Sequence, residues 1–71
     1  MMTTRRIAGV ERLRNTRDGN PRYRVTFADG GVADTRPDAA FAYGIDAYAL
    51  EGAVADVEVV GGEIVGLEVA G

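Results

Sequence analysis

The sequence predicts a mainly β fold with one short helix. It reads as a small five-stranded barrel in the order β-β-β-α-β-β, OB-like or SH3-like. Three observations predict it. Apolar residues alternate at period two in "RYRVTFA", "AVADVEVV" and "EIVGLEV". Paired turn formers, "ADGG" and "VGGE", separate such runs. A single helix-like stretch, "TRPDAAFAYGI", falls between the third run and the fourth. With 71 residues the chain forms one domain, residues 1 to 71, with a thin core. Closing the sheet into a barrel removes edge strands that so short a chain has no other means to cover.

The first strand is expected over residues 5 to 14. Ile7, Val10 and Leu13 stand three apart among charges, and Gly9 argues for a strand bulged near Gly9 or Glu11 rather than a helix. "NTRDGNP" is dense in turn formers, and Pro21 suits the start of a strand, where a missing N–H is harmless. Residues 22 to 28 are the clearest strand. Tyr23, Val25 and Phe27 face one way; Arg22, Arg24 and Thr26 face the other. "ADGG" then closes a tight hairpin into a short strand at about residues 31 to 35.

The helix is expected over residues 36 to 43. Thr35 can cap its first turn, with Asp38 three residues on in capping-box spacing. Pro37 is tolerated in that turn. Gly44 fits a left-handed C′ position, and Ile45 is placed for the apolar contact of a Schellman motif. "DAYALEG" adds an irregular turn with Tyr48 and Leu50 packing inward. Residues 53 to 60 direct Ala55, Val57 and Val59 inward against Asp56 and Glu58. Residues 63 to 69 direct Val65, Leu67 and Val69 inward and Glu68 outward.

Composition excludes much chemistry. The chain has no Cys and no His, and equally no Lys or Ser. Nucleophilic catalysis by Ser or Cys is thus closed, and the threonines lack a His or Lys base. Zinc of structural type is excluded, and no glycine pattern suits phosphate or dinucleotide binding. Asp56 and Glu58 share a strand face and could hold a hard cation. A solvated face that keeps a Val-rich hairpin soluble is the plainer reading. No enzymatic activity, metal or cofactor is expected. No signal peptide or membrane span is recognisable, so a cytoplasmic location is expected.

The net charge of −3 hides a split. All eight arginines lie in residues 1 to 36, against Glu11, Asp18, Asp29 and Asp34, leaving +4. Residues 37 to 71 carry Asp38, Asp46, Glu51, Asp56, Glu58, Glu63 and Glu68 and no base, a sum of −7. The split marks an interaction surface, or else the halves interleave and neutralise each other. If Leu13 joins Tyr23 and Val25 on the core face, then Arg12, Arg14, Arg22 and Arg24 crowd one outer face, with Arg17 in the loop. That face is a candidate for a partner protein or for nucleic acid. Asp34 is an alternative partner for Arg24 if the turn at Asp29-Gly30-Gly31 has three residues; with two it points inward. Asp56, Glu58 and Glu68 form a second candidate surface. Nucleic acid would also need aromatics on the arginine face, and Tyr23 alternates away from it.

At Gly19-Asn20-Pro21-Arg22-Tyr23, Asp29-Gly30, and Asp38-Ala39 to Tyr43-Gly44-Ile45 the chain resembles small uncharacterised proteins of actinobacterial phages and prophages. The resemblance covers residues 19 to 45. It implies phage origin and action in the host cytoplasm, and it carries no catalytic residues. Small phage proteins of this kind often bind a host protein, to inhibit it, redirect it or blunt a defence system. The expectation is therefore a non-enzymatic accessory protein that binds a host protein. An OB-like nucleic-acid-binding module using the arginine face is the alternative. A third reading is a self-assembling module, the basic half of one copy meeting the acidic half of another.

Overall fold

The computed structural model describes residues 2 to 69. Five strands, β1 (Thr3–Arg12), β2 (Tyr23–Phe27), β3 (Val32–Thr35), β4 (Val54–Val60) and β5 (Glu63–Val69), close into a barrel in the spatial order β1-β2-β3-β5-β4. A 3-10 turn (Ala40–Gly44) and a one-turn helix, α1 (Ala47–Leu50), cross from β3 to β4. This crossover lets β3 and β5 run parallel, with Asp34 beside Glu63 and Thr35 beside Ile64. A parallel contact of this kind makes the barrel OB-like rather than an all-antiparallel SH3-like meander.

β1 closes the barrel by serving two neighbours. Thr3 to Arg6 pair with β4, and Ile7 to Arg12 pair with β2. The change of partner coincides with the expected bulge: the register slips between Ile7 and Gly9, leaving Ala8 unopposed. The slip brings Ile7 and Val10 onto one face although they stand three apart. It happens once. From Gly9 to Arg12 pairing is regular, so Val10 faces Val25, Glu11 faces Arg24 and Arg12 faces Tyr23.

The core is Ile7, Val25, Phe27, Ala33, Leu50, Ala55, Val57 and Ile64, with Val10, Phe41, Ile45 and Leu67 packed against it. Alternation on β2 and β4 places these residues as expected, although Val59 stays partly exposed at the barrel's end. On β5 the reading shifts by one. A second bulge lies where Glu58 pairs with Gly66 and Val59 with Ile64, so Val65 is the extra residue. Ile64, fully buried, takes the inward place expected of Val65.

The turns follow glycine. Gly61 and Gly62, with φ of 59° and 81°, make the two-residue turn of β4–β5. Between β2 and β3, Gly30 at φ 94° donates its N–H to Phe27, and Phe27 donates to Gly31. The loop therefore has three residues, Ala28 to Gly30, one position earlier than Asp29-Gly30-Gly31.

The expected helix over residues 36 to 43 does not form. Thr35 is fully buried in β3, where its hydroxyl accepts the N–H of Tyr23 (3.0 Å), so it cannot cap. Asp38 takes a left-handed φ of 63° and turns toward the β1–β2 loop. Only the 3-10 turn from Ala40 remains. Gly44 stays out of the left-handed region, and Ile45 is extended (φ −76°) yet packs on the core. The cap lies further on: Asp46 Oδ1 accepts the N–H groups of Tyr48 (3.1 Å) and Ala49 (3.2 Å). Leu50 packs inward as expected, but Tyr48 is 92% exposed.

Candidate functional site

The structure divides the arginine face. Because β1 bulges only once, Arg12 shares the inner row with Tyr23 and lies over its ring at 5.2 Å from the centroid. It also donates to Asn15 Oδ1. Leu13, expected in that row, falls outside it and donates its N–H to the Arg22 carbonyl (2.9 Å). The outer row instead reads Glu11, Arg24, Asp34 and Glu63 across β1, β2, β3 and β5.

Arg24 in this row, and Arg22 and Arg36 on the same face, each meet an acceptor. Arg24 donates Nε to Asp34 Oδ1 (2.8 Å) and Nη2 to Oδ2 (3.2 Å). The three-residue loop puts Asp34 there, and the Arg24 hydrogen bond holds its carboxyl below the usual carboxylate range. Arg22 donates Nε to the Thr35 carbonyl (2.9 Å) and reaches Glu63 at 3.4 Å, and Arg36 lies 3.7 Å from the same carboxylate. Elsewhere Arg5 lies 3.7 Å from the centroid of the Phe27 ring and pairs with Asp29 (2.9 Å). The Asp29 carboxyl is held low first by the N–H of Gly31 and then by Arg5. Arg6 donates to the Gly52 carbonyl (2.8 Å). Arg14 and Arg17, both in the β1–β2 loop, make no such contact among the described residues.

That loop is tied to the crossover. The Thr16 hydroxyl and the Asn20 amide both donate to Asp38 Oδ1 at 2.6 Å, and the Tyr43 hydroxyl donates to Asn20 Oδ1. Hydrogen bonding by Thr16, then Asn20, holds the Asp38 carboxyl low. Asn20 near the start of the 19 to 45 stretch thus meets Asp38 and Tyr43 near its end, with Thr16 joining from just before it.

The second candidate surface is brought together. Asp56 and Glu68 stand directly opposite each other on β4 and β5, and Glu58 faces Gly66 two pairs along. Asp56 Oδ1 accepts the Thr4 hydroxyl (2.6 Å). Among the described residues no group of three acidic side chains is placed to hold a metal ion. No described helix is long and apolar enough to cross a membrane.

On the other face of β5 lies a feature that sequence reasoning missed. An open groove of about 330 Å³ runs between the crossover and β5, lined by Phe41, Ile45, Asp46, Leu50, Leu67 and Val69 among others. Of its apolar residues, the sequence pattern directs Leu50, Leu67 and Val69 toward the core. The available signal was the run of small residues around them: Ala40, Ala42, Gly44, Ala47 and Ala49 cannot fill the space beside β5.

The chain matches no protein-family model, no curated protein and no solved structure.

Proposed function

We propose that this protein is a non-enzymatic binding module whose partner is a protein, engaged through the acidic, groove-bearing half of the barrel. With the phage resemblance, that partner is a protein of the bacterial host, which binding inhibits or redirects. One observation carries the reading. The apolar groove is lined by Asp46 and adjoins Glu51, neither of which has an arginine partner among the described residues, whereas most arginines are spent on contacts inside the molecule. Tyr48, exposed on α1 next to Ala49 of the groove, adds an aromatic of the type enriched at binding hot spots.

Capture from nuclease-treated host lysate tests this, at low and at physiological salt. The expected result is a protein retained by the wild type and lost with Ala49→Arg, which fills the groove from an exposed position. Retention of nothing at either salt, or of a partner indifferent to Ala49→Arg, counts against the reading.

A further inference from the structure

We infer that the groove receives a partner segment in which one apolar side chain is flanked by arginines or lysines. This rests on the protein-binding reading above and names the partner's chemistry. The groove wall is apolar, from Phe41, Ile45, Leu50, Leu67 and Val69, so it takes an apolar side chain. Its single charged lining residue is Asp46. Oδ1 of Asp46 is occupied by two backbone N–H groups, while Oδ2 has no partner among the described residues.

The surface around the groove has the same sign: exposed Glu51 follows α1 directly, and Glu68, between the two groove residues of β5, faces outward opposite Asp56. Neither has a cation partner among the described residues, and the chain supplies no arginine after Arg36. The contrast with Asp29, Asp34 and Glu63, each paired with arginine, is the argument. Asp56 opposite Glu68 adds to the same negative field from the outer face of β4 and β5. Complementary charge around the groove steers approach and excludes acidic partners. An anionic lipid surface is repelled by the same field. A small polar ligand would find only Asp46 to orient it, where such sites use several converging polar groups. Tyr48 offers a flat ring on which an arginine can stack.

The test uses the whole chain, labelled with 15N, and three synthetic heptapeptides. The first has a central leucine with a glycine and two arginines on each side. The second replaces the arginines by glutamates, and the third replaces the leucine by glycine. The first should shift the amides of Gly44, Asp46, Ala49, Leu67 and Val69. The other two should bind at least about tenfold more weakly. Glu51→Gln combined with Glu68→Gln, both at exposed positions, should weaken the first peptide by about tenfold, and more salt should weaken it further. Equal binding of the glutamate peptide, or shifts centred away from the groove, overturns the inference.

The lysate experiment separates the two readings. A partner lost with Ala49→Arg but indifferent to Glu51→Gln and Glu68→Gln keeps the protein-binding reading and overturns the basic segment. Binding of the arginine peptide with no lysate partner keeps the groove's preference for a basic segment and overturns the host protein as its source. If the protein sediments as a salt-sensitive oligomer that Arg14→Glu with Arg17→Glu dissolves, the occupant is a second copy, and the inference of a separate partner is overturned.

Discussion

Arg24 holds Asp34 across the β2–β3 pair through two hydrogen bonds, Nε to Oδ1 at 2.8 Å and Nη2 to Oδ2 at 3.2 Å. The pair turns a supposed ligand surface into a cross-strand ladder in which Glu11, Arg24, Asp34 and Glu63 follow one another. It also sets a pH dependence. The folded-state pKa of Asp34 lies below its ordinary value, so the pair stabilises the fold above the unfolded carboxyl value, about 3.9. That contribution is lost as pH falls through the folded value. Asp34→Asn should cost no more than about 1 kcal/mol at neutral pH, as expected of a largely exposed pair. The variant should also lose less stability than the wild type on acidification. Urea unfolding at both pH values measures the difference; an unchanged acid limb would mean that the pair does not form in solution.

The β5 bulge makes a sharper prediction about the core. Ile64 is fully buried and its neighbour Val65 is the unopposed residue. Ile64→Ala should cost about 2–5 kcal/mol, a large fraction of the stability of so small a domain. Val65→Ala should cost well under half as much. Thermal and urea unfolding of the two variants side by side would show it. The reverse order would put Val65 in the core, as simple alternation has it.

The two bulges explain which parts of the barrel were legible. Where pairing is regular, as on β2 and on β4 from Val54 to Val57, period-two alternation gave the correct face for each side chain. A bulge inverts that parity downstream, and nothing local in "IAGVERLR" states how many bulges it holds. Leu13 could face the core only with a second inversion, and its absence is enough to move Arg12 from a supposed binding face onto Tyr23. The helix failed for a different reason. Thr35 and Asp38 have good capping chemistry, but tertiary partners, the Tyr23 N–H and the Thr16–Asn20 pair, claim both side chains. The acidic surface was readable because it lies on the regular part of β4 and β5. The groove was not, because a shortage of side-chain volume shows only when the walls are in place.

Gly61 and Gly62 both hold positive φ in the β4–β5 turn. An L-residue pays roughly 1–2 kcal/mol to enter the left-handed region, and Asn pays less because its side chain bonds locally. Gly62→Val should therefore destabilise by at least about 1 kcal/mol. Gly61→Asn, at φ 59°, should be nearly neutral, since Asn-Gly is the favoured pair for such a turn. Denaturation midpoints report both. Equal losses would show that the turn tolerates no side chain at either place, for steric rather than dihedral reasons.

Asp38 combines an unfavourable backbone with favourable hydrogen bonds. Its φ of 63° is uncommon for a residue with a side chain, and its carboxylate gathers Thr16 and Asn20. Asp38→Ala keeps the dihedral cost and loses both bonds, so it should be the more harmful change. Asp38→Gly loses the same bonds but removes the dihedral cost, so it should destabilise less. Amide exchange across residues 15 to 20 should quicken in both variants, because this tie joins the β1–β2 loop to the crossover. Unaltered exchange would show that the loop is held by its own turn, through the Thr16 N–H to the Asn20 carbonyl.

Nucleic-acid binding is the reading most directly exposed to experiment. A single strand needs several unspent cations along its path and aromatic faces beside them. Here Arg12 covers Tyr23, Arg22 and Arg24 are bonded to Thr35, Glu63 and Asp34, and the acids of β4 and β5 oppose phosphate. Only Arg14 and Arg17, in the β1–β2 loop, remain without such contacts among the described residues. Two cations give a weak attraction whose logarithm changes with salt by a slope of only about 1.4 for a single strand. A fluorescent oligothymidine should therefore show no saturable binding at about 50 mM salt. Tight binding with a slope several times steeper, lost on Arg22→Ala with Arg24→Ala, would mean that phosphate pulls these arginines off their carboxylates. In that case the outer ladder would be a store of cations and not a structural brace.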